Sequence, residues 1–248
     1  MPGPPDTVAP LPPHLPLDSY YEGERDRRRF LGHIFDRTAR HYDRISGFLS
    51  LGTGEWYRGF ALRQAGLEPG SRVLDVATGT GLLARASARL GCPVVGLDPS
   101  AGMLSCFKER SLVRLTRGIA ERLPFRDGAF DFLTMGYALR HVNDLRSTFV
   151  EYRRVIRPGG RILILDFSRP RNAAGYGMAR VFMQMLVPLA SRLFAGGREA
   201  ELLMRYCWDT VDQCVPVARV TAALETAGFT GLRVTTWAGV FVEYAASR

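Results

Sequence analysis

Arg72-Val-Leu-Asp75-Val-Ala77-Thr-Gly79-Thr80-Gly81-Leu-Leu-Ala84 is the stretch on which the fold of this 248-residue chain turns. Its first half is a short apolar run, too brief for a helix and suited to a strand buried on both faces. Its second half sets glycines where strand meets helix, so the backbone can turn tightly and approach a ligand closely. A helix over 82–90 follows. Outward from there the alternation continues: a strand over 93–97 ending at Asp98, then a helix over 100–109 with Ser100 as N-cap. Strands over 112–116 and 130–135 come next, then a helix over 145–155, the turn Arg157-Pro-Gly-Gly160 and a strand over 161–166. A helix over 217–227, stopped by Gly228, precedes two last strands near 231–237 and 240–244. This order predicts an α/β fold, a Rossmann-like seven-stranded, mostly parallel sheet with helices on both faces.

Two additions flank that sheet. Phe30, Ile34, Phe35, Tyr42, Ile45 and Leu49 recur near helical spacing and predict an N-terminal helical cap over 24–49, with a second amphipathic segment over 54–65. Residues of about 172–205 read as a helical lid insert whose apolar stretch, 181–195, is broken by Pro188 and Arg192. Residues 1–23 are proline-rich and read as a disordered leader, and 24–248 as a single domain. The leader lacks the basic start and apolar core of a signal peptide, and no run reaches membrane-spanning length. With four scattered cysteines, Cys92, Cys106, Cys207 and Cys214, and no CxxC or HExxH spacing, the expectation is a cytoplasmic protein without a metal.

The charge is unusual in kind. One lysine, Lys108, stands against 32 arginines, and the formal charge is +9. Codon bias with charges on solvated faces accounts for this; attraction to acidic partners is the other reading. Arg25 and Arg27 to Arg29 cluster without interleaved aromatics, which reads as a solvated helix face and argues against nucleic acid.

A glycine turn after the first strand and Asp98 at the end of the second predict a nucleoside cofactor, with the carboxylate accepting ribose hydroxyls. Gly79-Thr-Gly81-Leu-Leu-Ala84 satisfies the dinucleotide pattern GxGxxA, a weak signal by itself. Asp75, before the glycines, would repel a pyrophosphate and suits a cationic amino-acid part. Ala120-Glu121-Arg-Leu-Pro-Phe125 after strand three and Pro158-Gly-Gly160 before strand five point the same way, to S-adenosylmethionine.

The whole order resembles a class I S-adenosylmethionine-dependent methyltransferase. More narrowly, it resembles the ubiquinone/menaquinone biosynthesis C-methyltransferase family over roughly residues 30–248. Arg154-Val-Ile-Arg-Pro-Gly-Gly-Arg-Ile-Leu-Ile-Leu-Asp166-Phe-Ser168 is similar to that family's second signature, with Asp166 for its glutamate. Phe35-Asp36 through Tyr42-Asp43, then Ser50, match the first signature in part, and Gly136-Tyr-Ala-Leu-Arg140-His141-Val142 resembles its FGLRNV segment. Departures are Gly54 and Tyr57 for a histidine and a tryptophan, Ile119 for a polar residue, Gly136 for a serine and His141 for an asparagine. They leave cofactor binding in place and touch substrate identity.

The resemblance implies that Tyr42, Asp75, Ala77, Gly79, Thr80, Gly81, Asp98, Pro99, Met103, Ile119, Ala120, Glu121 and Gly136 hold the cofactor. Arg140 and His141 are the candidate catalytic pair. His141 would take a phenolic proton, an ordinary imidazole titrating at about 6.5, and Arg140 would stabilise the phenolate. The implied substrate is an aromatic quinol or phenol, extending to a prenylated demethylquinone, with Phe182, Met183, Met185 and Leu186 lining an apolar lid. A peripheral membrane contact and a homodimer belong to the same expectation. A secondary-metabolite methyltransferase of the same fold, a non-catalytic cofactor-binding subunit and a NAD(P)-linked oxidoreductase remain as alternatives.

Overall fold

The computed structural model describes residues 9–194, 197–237 and 239–248. The ends of the leader and of the apolar lid stretch, 1–8 and 195–196, lie outside them. Seven strands form one sheet in the order β3-β2-β1-β4-β5-β7-β6. They are β1 (Val73–Val76), β2 (Val94–Asp98), β3 (Val113–Arg117), β4 (Phe130–Gly136), β5 (Ile156–Phe167), β6 (Thr230–Trp237) and β7 (Phe241–Ser247). The first five pair parallel, and β7 runs antiparallel between β5 and β6. All four residues of β1 are buried, as the unbroken apolar run requires.

The helices α4 (Leu82–Arg89), α5 (Ala101–Ser105), α6 (Leu145–Val155) and α10 (Val217–Thr226) cover the sheet. Leu145, Phe149, Tyr152 and Val155 lie on one stripe of α6 and are fully buried against β4 and β5. α3 (Gly54–Gln64) packs on the other face with Ala61 and Leu62. Its Tyr57 hydroxyl donates to Glu243 Oε1 of β7 at 2.6 Å, and Trp237 Nε1 donates to the same oxygen at 2.8 Å.

The cap and lid build a core of their own. α1 (Glu24–Thr38) and α2 (Tyr42–Leu49) are separate helices, where periodicity suggests one. The Thr38 hydroxyl donates back to the Ile34 carbonyl at 2.7 Å, a bond that bends helices, and one 3-10 turn follows. The lid comprises α7 (Ala173–Val181), one π turn (Phe182–Leu186), α8 (Val187–Phe194) and α9 (Gly197–Asp212). Pro188 has no amide for the carbonyl four residues back and would clash with it; the wider π turn just before it makes room. Ile34, Ile45, Met183, Val187, Leu203, Met204 and Trp208 close this second core.

The leader differs from expectation. Residues 9–23 are packed, because prolines that cannot donate leave few amides to satisfy and those few find partners. Leu11 N donates to Asp144 Oδ1, Leu15 N to the Gln213 carbonyl, and Val215 N to the Pro13 carbonyl. His14, Leu17 and Tyr21 are buried. Arg27 is likewise no part of a solvated face. It is buried and donates to Asn143 Oδ1 and to the carbonyls of Arg140 and Val142, bracing that loop from behind.

Candidate active site

The strand order reverses between β1 and β4, and open α/β sheets bind ligands outside the carboxyl ends of strands at such a point. Val76 and Met135 are register partners there. The residues just beyond them, Ala77 (φ 55) and Tyr137 (φ 58), both hold left-handed backbones without being glycine. That strain persists only where surroundings over-determine it, and it clusters at functional sites.

Between them the glycine turn is built as the sequence predicts, with one change of role. Gly81 (φ 88) and Gly79 (φ 56) occupy left-handed conformations. Gly79 N donates to Asp98 Oδ2 and Ser100 N to Oδ1, both at 2.8 Å, which aims the Asp98 carboxylate along the crevice. Burial pushes that carboxyl up to about 6, against the pull of the two amides. Asp75 is buried, and its oxygens accept from the hydroxyls of Thr78 (2.6 Å) and Thr134 (2.7 Å). It is therefore a brace for the turn, not a direct partner for a cationic ligand. Thr80 also faces inward in this sense, its hydroxyl donating to Asp43 Oδ1 at 2.6 Å.

The remaining predicted cofactor residues group around this crevice unequally. Ile119 is well exposed just beyond β3, with Ala120 half-buried beside it, which leaves an apolar face for a flat ring. Glu121 is occupied, accepting from Asn143 N at 2.7 Å. Pro99 gives its carbonyl to Arg117 Nε at 2.9 Å, and Met103 is a buried residue of α5 whose amide completes the Ser100 cap. Gly136 has room for little more: a Cβ there would sit 3.3 Å from Leu83 Cδ2. Asp36 and Asp43, quoted only for resemblance, clamp the cap on the sheet. Asp36 accepts from Ser100 Oγ (2.5 Å) and Gly102 N (2.9 Å), and Asp43 also from Lys108 Nζ (2.8 Å).

Above the crevice a pocket, open at its mouth, is lined chiefly by aromatic and apolar groups. Tyr42 and Phe35 come from the cap, Tyr137 and Phe167 from the strand ends, and Leu203, Met204, Tyr206 and Cys207 from α9. None of Phe182, Met183, Met185 and Leu186 lines it; Met183 packs inward and Met185 and Leu186 face solvent, so α9 is the wall and the π turn its support.

Arg140 and His141 both line the pocket. Arg140 Nη1 donates to Asp166 Oδ1 at 2.7 Å and Nη2 to Cys207 Sγ at 3.1 Å, while the guanidinium lies over the Phe167 ring. Burial works against its charge, but Cys207 and Asp166 outweigh this and hold Arg140 above its ordinary value. The His141 ring stacks on Tyr206 and meets Phe35 edge-on. Burial, then Arg140, Arg27 and His14, hold its imidazole well below the ordinary value, so it is neutral near pH 7 rather than poised there. Arg140 Nε and His141 Nδ1 are buried with no hydrogen-bond partner among the described residues.

The seven-stranded sheet with its switch-point crevice gives the fold, and the family match gives the class, a methyltransferase of the S-adenosylmethionine-dependent kind. The model of the ubiE/COQ5 methyltransferase family matches residues 22–246, and the chain belongs to that family. It is 37% identical over 201 residues to the demethylmenaquinone methyltransferase of Beutenbergia cavernae, covering 80% of this chain and 82% of that one. To the demethylmenaquinone methyltransferase of Mycobacterium sp. (strain KMS) it is 34% identical over 200 residues, covering 81% and 85%. In fold it is similar to an S-adenosylmethionine-dependent methyltransferase, a possible histamine N-methyltransferase, from Thermotoga maritima. That match has a TM-score of 0.62 and 21% identity, covering 87% of this chain and 98% of that one.

Proposed function

We propose that this chain methylates a ring carbon of a quinol, a demethylquinone precursor carrying a prenyl tail. The observation that carries the reading is the pair of buried, unpartnered polar atoms on two successive residues lining the aromatic pocket, Arg140 Nε and His141 Nδ1. One donates and the other can accept, which are the two bonds a phenolic hydroxyl needs. S-adenosylmethionine supplies a methyl group activated by its sulfonium. The chain's own task is to hold a ring carbon in line with that methyl and to exclude water, and positioning of this kind is worth up to about 7–11 kcal/mol.

His141 accepts the phenolic O–H and draws electron density toward the neighbouring ring carbon. Its weak basicity makes it an orienting acceptor. The O–H proton is shared with Nδ1 while the ring carbon takes the methyl group, and it returns to the oxygen as that carbon loses its own hydrogen as a proton. This released proton leaves to solvent through the pocket mouth. Arg140, its charge balanced by Asp166, offers Nε–H to the oxygen as negative charge develops. His141→Ala is expected to slow methyl transfer about 100-fold or more. The parent's rate profile should already lack an inflection from this imidazole near pH 6.5. A parental rate in this variant across pH would remove the assignment.

Asp98 is proposed to receive the ribose hydroxyls, which only its ionised form can do. Because burial raises this carboxyl from 3.8 to about 6, its contribution to folding stability is full below 3.8 and lost as pH rises through about 6. Cofactor affinity runs the other way, rising through the same window. Calorimetric titration with S-adenosylhomocysteine at about pH 5 and about pH 8 should show it, and Asp98→Asn should flatten the difference.

The tail and the membrane enter through the lid. Met178, Val181, Met185, Leu186, Leu189 and Leu193 form an exposed apolar stripe along α7, the π turn and α8, with Arg180 and Arg192 beside it. Among the described residues no helix is long and apolar enough to cross a membrane, and a stripe with arginine flanks suits the headgroup boundary. The deciding experiment follows radiolabelled methyl transfer into lipid extract from a host lacking the quinone methylation step. The extract is presented in anionic or neutral vesicles. Labelled quinone, formed faster on anionic vesicles and less so with Arg180→Ser/Arg192→Ser, supports the reading. Label confined to water-soluble products would move the substrate to a secondary metabolite. A sedimenting mass of two chains without vesicle binding would give the stripe to a second copy.

A further inference from the structure

Arg58 of α3 is a pocket-lining guanidinium that the chain leaves without a counter-charge. It is only 8% exposed, its Nε is buried, and no hydrogen bond or ion pair reaches it among the described residues. The carboxylates that could answer it are committed elsewhere. Glu55 pairs with Arg89, Asp43 with Lys108 and Arg85, and Asp166 with Arg140. Two phenol hydroxyls share its part of the pocket, those of Tyr42 and Tyr137, and neither has a hydrogen-bond partner among the described residues. A buried arginine without a partner is costly, and proteins keep such a group where a ligand completes it. The matching ligand group is a carboxylate, whose two oxygens take a guanidinium fork and accept hydroxyls besides.

The placement of Arg58 selects between the two anions available, the carboxylate of S-adenosylmethionine and the oxyanion of the methyl acceptor. Apart from burial, the groups that bear on Arg58 are Tyr137 at the end of β4, Glu55 on its own helix, Tyr42 of the cap and Arg85 of α4. Helix α3 packs against α4, which springs directly from the glycine turn. The unpartnered atoms suited to a phenol, Arg140 Nε and His141 Nδ1, belong instead to the loop facing α9, with Cys207 and Tyr206 as their neighbours.

We infer that Arg58, with the hydroxyls of Tyr42 and Tyr137, binds the carboxylate of the cofactor's amino-acid part. This supplies the anchor that Asp75 does not, and it does so through the opposite charge: the zwitterion is caught by its acid end. It also gives α3 a function in reading the ligand, beyond covering the sheet.

The test compares two ligands that differ in that end. S-adenosylhomocysteine carries the amino acid; 5′-methylthioadenosine keeps the nucleoside and sulfur without it. In calorimetric titration, Arg58→Met should weaken S-adenosylhomocysteine roughly ten- to a hundredfold and leave 5′-methylthioadenosine unchanged. Ligand-free Arg58→Met should melt at or above the parent temperature, since an unpaired buried charge is gone. Arg58→Lys keeps the charge but not the fork, and should show an intermediate loss for S-adenosylhomocysteine alone. It remains readable if the methionine variant does not fold. Equal weakening of both ligands would make Arg58 a structural residue. Unchanged affinity for both, with a raised KM for the methyl acceptor, would give the guanidinium to the substrate. Either result overturns the inference.

Discussion

Gly81→Ala should unfold much of the protein's advantage over its denatured state and remove methyl transfer with it. A Cβ at residue 81 would stand 2.2 Å from Phe107 Cε2 and 2.3 Å from Cζ, inside any allowed contact. The backbone there (φ 88) adds strain of about 1–2 kcal/mol for a side-chain-bearing residue. Phe107 belongs to the core beneath α4, so moving it costs a further 1–3 kcal/mol or about that much. The sum, about 2–5 kcal/mol, is a large share of a typical domain's stability. Even a partly relaxed turn displaces the Gly79 amide from Asp98, and a shift near 1 Å can cost about 100-fold in rate. Urea denaturation and cofactor titration should fall together. Gly79→Ala is the control, because nothing lies within 4 Å of a Cβ at that residue and only backbone strain remains. Phe107→Ala should cost less in the Gly81→Ala background than in the parent; equal costs would mean that the overlap is not the source of the loss.

The second large effect is expected at Asp166. Its carboxylate holds Arg140 Nη1 and also accepts from Phe167 N at 2.8 Å, with both partners of the ion pair nearly excluded from solvent. Burial pushes this carboxyl upward and Arg140 pulls it back, so the pair survives by geometry, not by surplus energy. Asp166→Asn keeps the shape and strands the guanidinium, at an expected cost of about 3–5 kcal/mol in denaturant titration. Asp166→Leu combined with Arg140→Met should return much of the stability and none of the activity, since the donor beside His141 is then gone. A stable, active Asp166→Asn variant would show that Arg140 needs no counter-ion. That outcome would free Arg140 for the phenolate role in full.

The sheet was readable because its cues are local. An unbroken apolar run such as Val73–Val76, a glycine turn and a capping Ser100 each act within a few residues, and β1, β2, α5 and the turn between them follow directly. The helix over 100–109 shortens to Ala101–Ser105, a matter of boundaries. What escaped is decided between distant segments. Thr38 bends the cap through its own hydroxyl, and periodicity cannot see that bond. Arg27 and Arg58 are buried, yet among 32 arginines no composition argument could single them out. Asp75 looked like a ligand partner because its two threonines, Thr78 and Thr134, arrive from the turn and from β4. The imidazole of His141 could be placed in the site but not titrated, since its depressed basicity comes from burial, then from Arg140 beside it and from Arg27 and His14 on two other segments.

The packed strap of residues 9–15 has a consequence for how the molecule comes to be. Leu11 bonds to Asp144 across 133 residues, and Pro13 and Leu15 bond to the turn after α9. These are among the most remote pairings in the chain, and loop-closure entropy must be spent before they return anything. On a ribosome the strap emerges early and must wait, unpaired, until nearly the whole domain has followed it out. It is therefore expected to dock late, sealing the loop that carries Arg140 and His141 once the rest is in place, and pulsed hydrogen exchange during refolding should protect the Leu11 amide last. Assembly of the reactive loop is in this way the closing act of folding, and the strap is its clasp.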